Sequence, residues 1–192
     1  MKLIVGLGNP GRFYAFSRHN VGFMAADEFC RAQDIILKND SAAFSLSGRG
    51  RVAGKDVLVA RPLTFMNLSG VSLKLLLRKH KVSLDDLLVI CDDLDLEFGR
   101  LKIKPSGSSG GHRGLESIIE AIESREFCRL RIGIGRPRRE VDAAEYVLSN
   151  FIKQERAELK DVLARSCDCC RTWISEGITR GMEIFNRRSN AG

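Results

Sequence analysis

Apolar positions follow two periods along this chain, and the alternation between them outlines the fold. Lys2 to Gly8 holds Leu3, Ile4, Val5 and Leu7 and predicts a buried strand that ends in a glycine turn. Val21 to Ala32 repeats apolar residues at Val21, Met24, Ala25, Phe29 and Ala32, the period of a helix. Val57 to Ala60 is a short apolar strand. A second helix begins near Asn67 and carries Val71, Leu73, Leu75, Leu76 and Leu77. Leu87 to Cys91 is a wholly apolar strand that ends on Asp92 and Asp93, and Leu101 to Lys104 is a further short strand. Leu115, Ile118, Ile119 and Ile122 mark one face of a third helix. Leu130, Ile132 and Ile134 alternate with Arg131 and Gly133 as in a half-buried strand. Glu155 to Phe185 is amphipathic throughout, with Gly177 and Gly181 as candidate breaks. Strands alternating with helices predict an α/β fold: one three-layer domain, a mixed, mostly parallel sheet, and helices on both faces.

Composition narrows the class. The chain has 192 residues, enough for one domain with a sizeable core, and the loops at 105–111 and 135–139 are too short to divide it. No apolar run approaches the roughly 18 residues of a membrane span, and the N-terminus lacks the apolar stretch and cleavage site of a signal peptide. A cytoplasmic protein is expected. Cys30, Cys91, Cys128, Cys167, Cys169 and Cys170 show no disulfide spacing and are expected as thiols, the last three on one helix face. Lys and Arg number 31 against 24 Asp and Glu, a net charge of +7. That surplus suits nucleic acid, an acidic ligand, a membrane surface or merely a solvated exterior, so charge alone does not choose.

Gly6-Leu7-Gly8-Asn9-Pro10-Gly11 has the G-x-G-x-x-G spacing of a dinucleotide loop. Its context argues otherwise. Pro10 and Gly11 oppose a helix at that point, the next helical period begins only near His19, and no second strand ends in an acid about twenty residues on. The loop reads instead as a tight turn presenting Asn9 at the edge of the sheet. Arg18-His19-Asn20 precedes the first helix, Met66-Asn67 precedes the second, and Asp92-Asp93 ends the most apolar strand. Sheet edges of this kind carry ligand sites in α/β proteins. Singly, Asn20 or Asn67 would be a helix cap and the aspartates turn residues. Together they supply a neutral-pH base, a carboxylate to orient it, and amides for a developing oxyanion. Arg18-His19-Asn20 with the carboxylate points to activated water as the expected attacking group.

A second small-residue loop, Ser106 to Gly114, precedes the third helix but lacks the G-K-[ST] ending of a P-loop. Lys102, Lys104, Arg129 and Arg131 flank it, and Arg136, Arg138 and Arg139 follow. Cations drawn from several segments are the footprint of phosphate, hence of nucleic acid.

With these segments in order, joined by Tyr14, Pro62 to Gly70 and Asp92 to Asp95, the chain resembles bacterial peptidyl-tRNA hydrolases from about residue 2 to about residue 186. The resemblance implies a monomeric carboxylic ester hydrolase that uses no metal or cofactor. Its substrate would be peptidyl-tRNA, cut between the peptide and the 3′-terminal ribose. It implies His19 as the base, Asp92 as its orienting carboxylate, Asn9 at the scissile region and Asn67 on the peptide backbone. Tyr14 and Met66 would line the cleft. Gly110, Gly111 and His112 would meet the peptide or the tRNA end, and Lys104 and Arg131 would clamp the tRNA 5′-phosphate. The 140s segment and the C-terminal helix, about 153–186, resemble elements that gate the cleft and meet tRNA, with a tail at 187–192. One position departs: Arg113 stands where the family usually has Asn. The competing reading is a non-catalytic RNA-binding protein on the same scaffold, which would have no use for the Asn9, His19, Asn67 and Asp92 set.

Overall fold

A computed structural model describes residues 1–137 and 141–187. Its spine is a seven-stranded sheet. The strands are β1 (Lys2–Gly6), β2 (Lys38–Asp40), β3 (Ser45–Val52), β4 (Lys55–Pro62), β5 (Leu87–Asp93), β6 (Leu101–Lys104) and β7 (Cys128–Gly133). Their spatial order is β2-β3-β4-β1-β5-β7-β6. The central four, β4-β1-β5-β7, run parallel, and antiparallel strands flank them on both sides. Every residue of β5 is buried, which is why its sequence is a continuous apolar run instead of an alternating one.

The period of two divides the core. Ile4, Val59, Leu88, Ile90 and Leu130 face one side, where helices α1 (Val21–Ala32) and α5 (Lys153–Glu176) supply Val21, Ala25, Phe29, Cys170, Trp173 and Ile174. Leu3, Val5, Leu58, Leu87 and Val89 face the other. There α2 (Ser69–His80) and α3 (Arg113–Ile122) supply Leu73, Leu76, Leu115 and Ile118. The three-layer arrangement is the one expected. The short helix α4 (Ala143–Leu148) buries nothing of its own and is capped by Asp142, whose Oδ1 accepts from Ala144 N–H at 2.8 Å. The last amphipathic stretch breaks at Gly177, whose φ of 89° takes it out of the helix. Gly181 sits inside the following helix, α6 (Ile178–Phe185). Asn186, just after α6, bonds both backbone groups of Ile103 and so closes the open edge of β6.

The strand pair β2 and β3 escaped the sequence reading. In β3 two of the inward positions are Gly48 and Gly50, and a Cβ at either would stand within 2.6 Å of Ile36 O or Ile35 Cγ1. The strand therefore packs on its neighbour with backbone, and no apolar period is written in it. Its turn to β4 is tight, with Ala53 and Gly54 both at positive φ. No helix among the described residues is long and apolar enough to cross a membrane.

Candidate active site

The glycines of the first loop serve packing. A Cβ on Gly6 would lie 2.3 Å from Gly22 O, and one on Gly22 would lie 2.4 Å from Ile90 O. Their absence lets the first turn of α1 press onto β1 and β5. That contact brings the turn Arg18–Asn20, which precedes α1, over the carboxyl ends of the parallel strands, the usual place for a site in this architecture.

Three residues meet there. His19 Nδ1 stands 2.7 Å from Asp92 Oδ1, at 8% and 4% exposure respectively. His112 Nε2 reaches the same oxygen at 2.9 Å. A carboxylate only accepts, so both imidazole nitrogens are donors. The consequences for the two rings are opposite. His112 Nδ1 accepts from Gly114 and Leu115 N–H and caps α3, so its second nitrogen is occupied. His19 is engaged through Nδ1 alone, and its Nε2 bonds to no group among the described residues. Burial pushes the Asp92 carboxyl up, but the charges and hydrogen bonds of His112 and His19 outweigh it and hold the group well below the usual carboxylate range. The two rings lie 4.8 Å apart, centre to centre.

Ligating atoms of His19, Asp92 and His112 fall within 4.8 Å of one another, a spacing that a metal ion could use. A cation there would have to displace the two imidazole N–H donors that point at Asp92 Oδ1.

Asn9 stands beside this group in a fixed attitude. Its N–H donates to Asn20 Oδ1 at 2.8 Å, and Asn20 Nδ2 donates to Asn9 O at 2.9 Å. Asn9 Oδ1 accepts from Met66 N–H at 2.8 Å, which assigns the amide and leaves Nδ2 as a donor for a ligand. The expectation of Asn20 as a cap is thus corrected: it stands at the N-cap of α1 but makes no capping bond, and its side chain is spent on Asn9. Met66 is buried, with its sulfur over Gly114, where a Cβ would lie only 2.4 Å away. Asn67 is exposed in the turn before α2, and its side chain bonds to no group among the described residues, so it too is no cap. Tyr14 packs edge to face on Phe13 at 5.2 Å and makes no bond to the His19–Asp92 pair.

The aspartates of β5 diverge because neighbouring residues of a strand face opposite ways. Asp93 meets Arg131, with Nε 2.9 Å from Oδ2. In the β6–β7 pairing Lys102 lies opposite Arg131 and Lys104 opposite Arg129, which sets all four cations on one face. Arg129 is not a surface cation: it is 1% exposed and donates to Gly107, Ser108 and Arg125 carbonyls, holding the small-residue loop in place. Gly110, at φ 60°, lies over Arg131, where a Cβ would stand 3.2 Å from Nη2. Burial, Lys102 and Arg131 push the Lys104 ammonium down against the pull of Asp93, the condition of a crowded cation. Arg113 is exposed at the first position of α3. Arg136 pairs with Asp95, while Arg138 and Arg139 lie outside the described residues.

All six cysteines are buried thiols. His80, in the last turn of α2, lies 2.8 Å from Arg49 through Nδ1, and burial with Arg49 and Lys79 pushes it down.

A family model described as peptidyl-tRNA hydrolase matches residues 3–192. The chain is 48% identical to the peptidyl-tRNA hydrolase of Desulforudis audaxviator over 97% of this chain and 93% of that one. It is 41% identical to the one of Bacillus cytotoxicus, over 97% and 100%. Among solved structures, the peptidyl-tRNA hydrolase of Acinetobacter baumannii superposes with a TM-score of 0.91 at 34% identity, covering 97% of this chain and 94% of that one.

Proposed function

Because the chain belongs to the peptidyl-tRNA hydrolase family and hydrolyses the ester between a peptide and the 3′-terminal ribose of tRNA, we propose that His19 is the base that activates the attacking water. The observation that carries this is the 2.7 Å contact of His19 Nδ1 with the Asp92 carboxylate, which leaves Nε2 as the nitrogen available to accept a proton from water. In this reading, hydroxide adds to the ester carbonyl while the proton moves to His19 Nε2. The carbonyl oxygen takes the negative charge, which Asn9 Nδ2 receives as a donor. The tetrahedral intermediate then expels the ribose oxygen, and His19 returns the proton to it. Asp92 stabilises the imidazolium between the two steps.

The flanking residues divide the substrate. Asn67, exposed and unpartnered, takes the peptide backbone, and Met66 and Tyr14 line the cleft beside it. Gly110 and His112 border the tRNA 3′ end; both nitrogens of His112 are occupied, so its contact is through the ring. Lys104 and Arg131 take the terminal 5′-phosphate, supported by the crowding of cations on that face. We place the enzyme in the cytoplasm as a monomer without a membrane partner.

The test is release of peptide from N-acetyl-aminoacyl-tRNA beside the same aminoacyl-tRNA with a free amine, with chelator present. Cleavage of the blocked ester alone supports the reading. Tight tRNA binding with no cleavage of either supports the RNA-binding alternative.

A further inference from the structure

Arg18, the residue before the base, is 4% exposed and carries a full charge into the interior. Every hydrogen bond its guanidinium makes goes to one short segment. Nη1 donates to Ser149 Oγ at 2.7 Å and Asn150 O at 2.6 Å, and reaches Ser149 O at 3.4 Å. Nη2 donates to Glu155 Oε2 at 2.6 Å. The Arg18 Cζ lies over the Tyr146 ring, 4.3 Å from the ring centre, and 5.4 Å from that of Phe151. The backbone repeats the attachment: Arg18 N–H donates to Ser149 O at 3.0 Å, and Ser17 forms an isolated bridge with Asn150. Glu155 also accepts from Ile152 N–H at 2.7 Å, the first turn of α5. Tyr146 in turn donates to Ile134 O, just beyond β7.

The corner between α4 and α5 thus hangs on the turn that carries His19. Stability does not explain the choice of residue, since an apolar pair of the same volume commonly serves a fold as well as a buried ion pair does. Only a planar, always-charged fork can hold two carbonyls, a hydroxyl and a carboxylate while stacking on a ring. We propose that Arg18 is a positioning residue: it locks the α4–α5 corner to the turn bearing His19, so that the base keeps its orientation toward Asp92. The proposal rests on His19 being the base, and it reaches the reaction only through His19.

The experiment is a double-mutant cycle on the full chain with N-acetyl-aminoacyl-tRNA, using Arg18→Met, Arg18→Lys, His19→Ala and the pair Arg18→Met/His19→Ala. Arg18→Met is expected to lower kcat on the order of 10–100-fold, the usual effect of a slightly misplaced catalytic group, with little change in KM. Arg18→Lys is expected to recover part of the loss. On the His19→Ala background, Arg18→Met is expected to cost almost nothing more. Hydrogen exchange over 143–150 should quicken in Arg18→Met while β1 and β5 stay protected. If Arg18→Met does not fold, Glu155→Gln takes its place in the same cycle, with a smaller loss of the same kind. Full additivity with His19→Ala, or a lowered melting temperature with unchanged kcat, overturns the proposal. Wild-type turnover in His19→Ala would instead remove the base reading on which it stands.

Discussion

At the scale of single residues, hydrogen bonding assigns the roles. His19 and His112 touch the same oxygen of Asp92, but His112 is also bonded through its other nitrogen while His19 Nε2 is left open for the proposed role of base. His19→Ala is expected to lose 10²–10⁴-fold in kcat, the usual worth of general base catalysis, with tRNA affinity retained in a filter-binding assay. Asn20→Asp removes the donor to Asn9 O and sets a carboxylate against it. A buried acceptor left facing another costs about 1–3 kcal/mol. The expected result is a kcat lowered on the order of tenfold or more, measured beside a circular-dichroism spectrum that stays native. Neither role of these residues shows in a sequence read one position at a time. Asn20 precedes a helix, so capping was its plain reading, and its true partner is eleven positions away. Asp92 was legible because a fully apolar strand ended on it, and His19 because an imidazole stood at a helix start on the same edge. The bond between them, seventy-three positions apart, was not legible.

Elements carry the geometry that those residues require. The close crossing of α1 on β1 and β5 depends on Gly6 and Gly22 having no side chains. Gly22→Ala forces a methyl to within 2.4 Å of Ile90 O. Overpacking of this kind costs about 1–3 kcal/mol, and the urea midpoint should fall accordingly. Because His19 lies one turn before Gly22, kcat should fall with it. On the opposite side of the site, the β6–β7 pair presents Lys102, Lys104 and Arg131 as a patch with Arg129 tucked beneath the small-residue loop. Charge reversal at Lys104 should raise KM for full-length tRNA more than it lowers kcat, and the gap should narrow as salt rises. The same reversal at Arg131 also strands Asp93 and should cost stability as well, which a thermal melt will register. Arg129, which looked in sequence like one more phosphate ligand, holds the 106–111 loop instead, and hydrogen exchange in that loop should quicken when it is replaced.

For the whole molecule, the buried thiols make a testable link to pH. Burial pushes Cys30, Cys167 and Cys169 up to about 12, from an ordinary value of 9.0. A group whose folded pKa is raised contributes its stability below the unfolded value and loses it as pH climbs toward the folded one. Melting temperature should therefore fall between pH 9 and pH 12, and less steeply in Cys167→Ala. A thiol-reactive dye at pH 8 should label the native protein slowly and the urea-unfolded chain at all six cysteines. The sequence by itself determined the α/β class, the order of the main strands and helices, and which polar residues sit at strand and helix ends. Those follow from periodicity and punctuation, which are local. Only the tertiary structure decided that His19 and His112 meet on one oxygen of Asp92, that Asn20 serves Asn9, and that Arg18 ties the α4–α5 corner to the turn bearing His19. It also decided that the strand from Ser45 to Val52, with its inward glycines, pairs at all. These are contacts between residues far apart in the chain. Local pattern sets which way a side chain faces, but the partner it meets depends on how the layers pack.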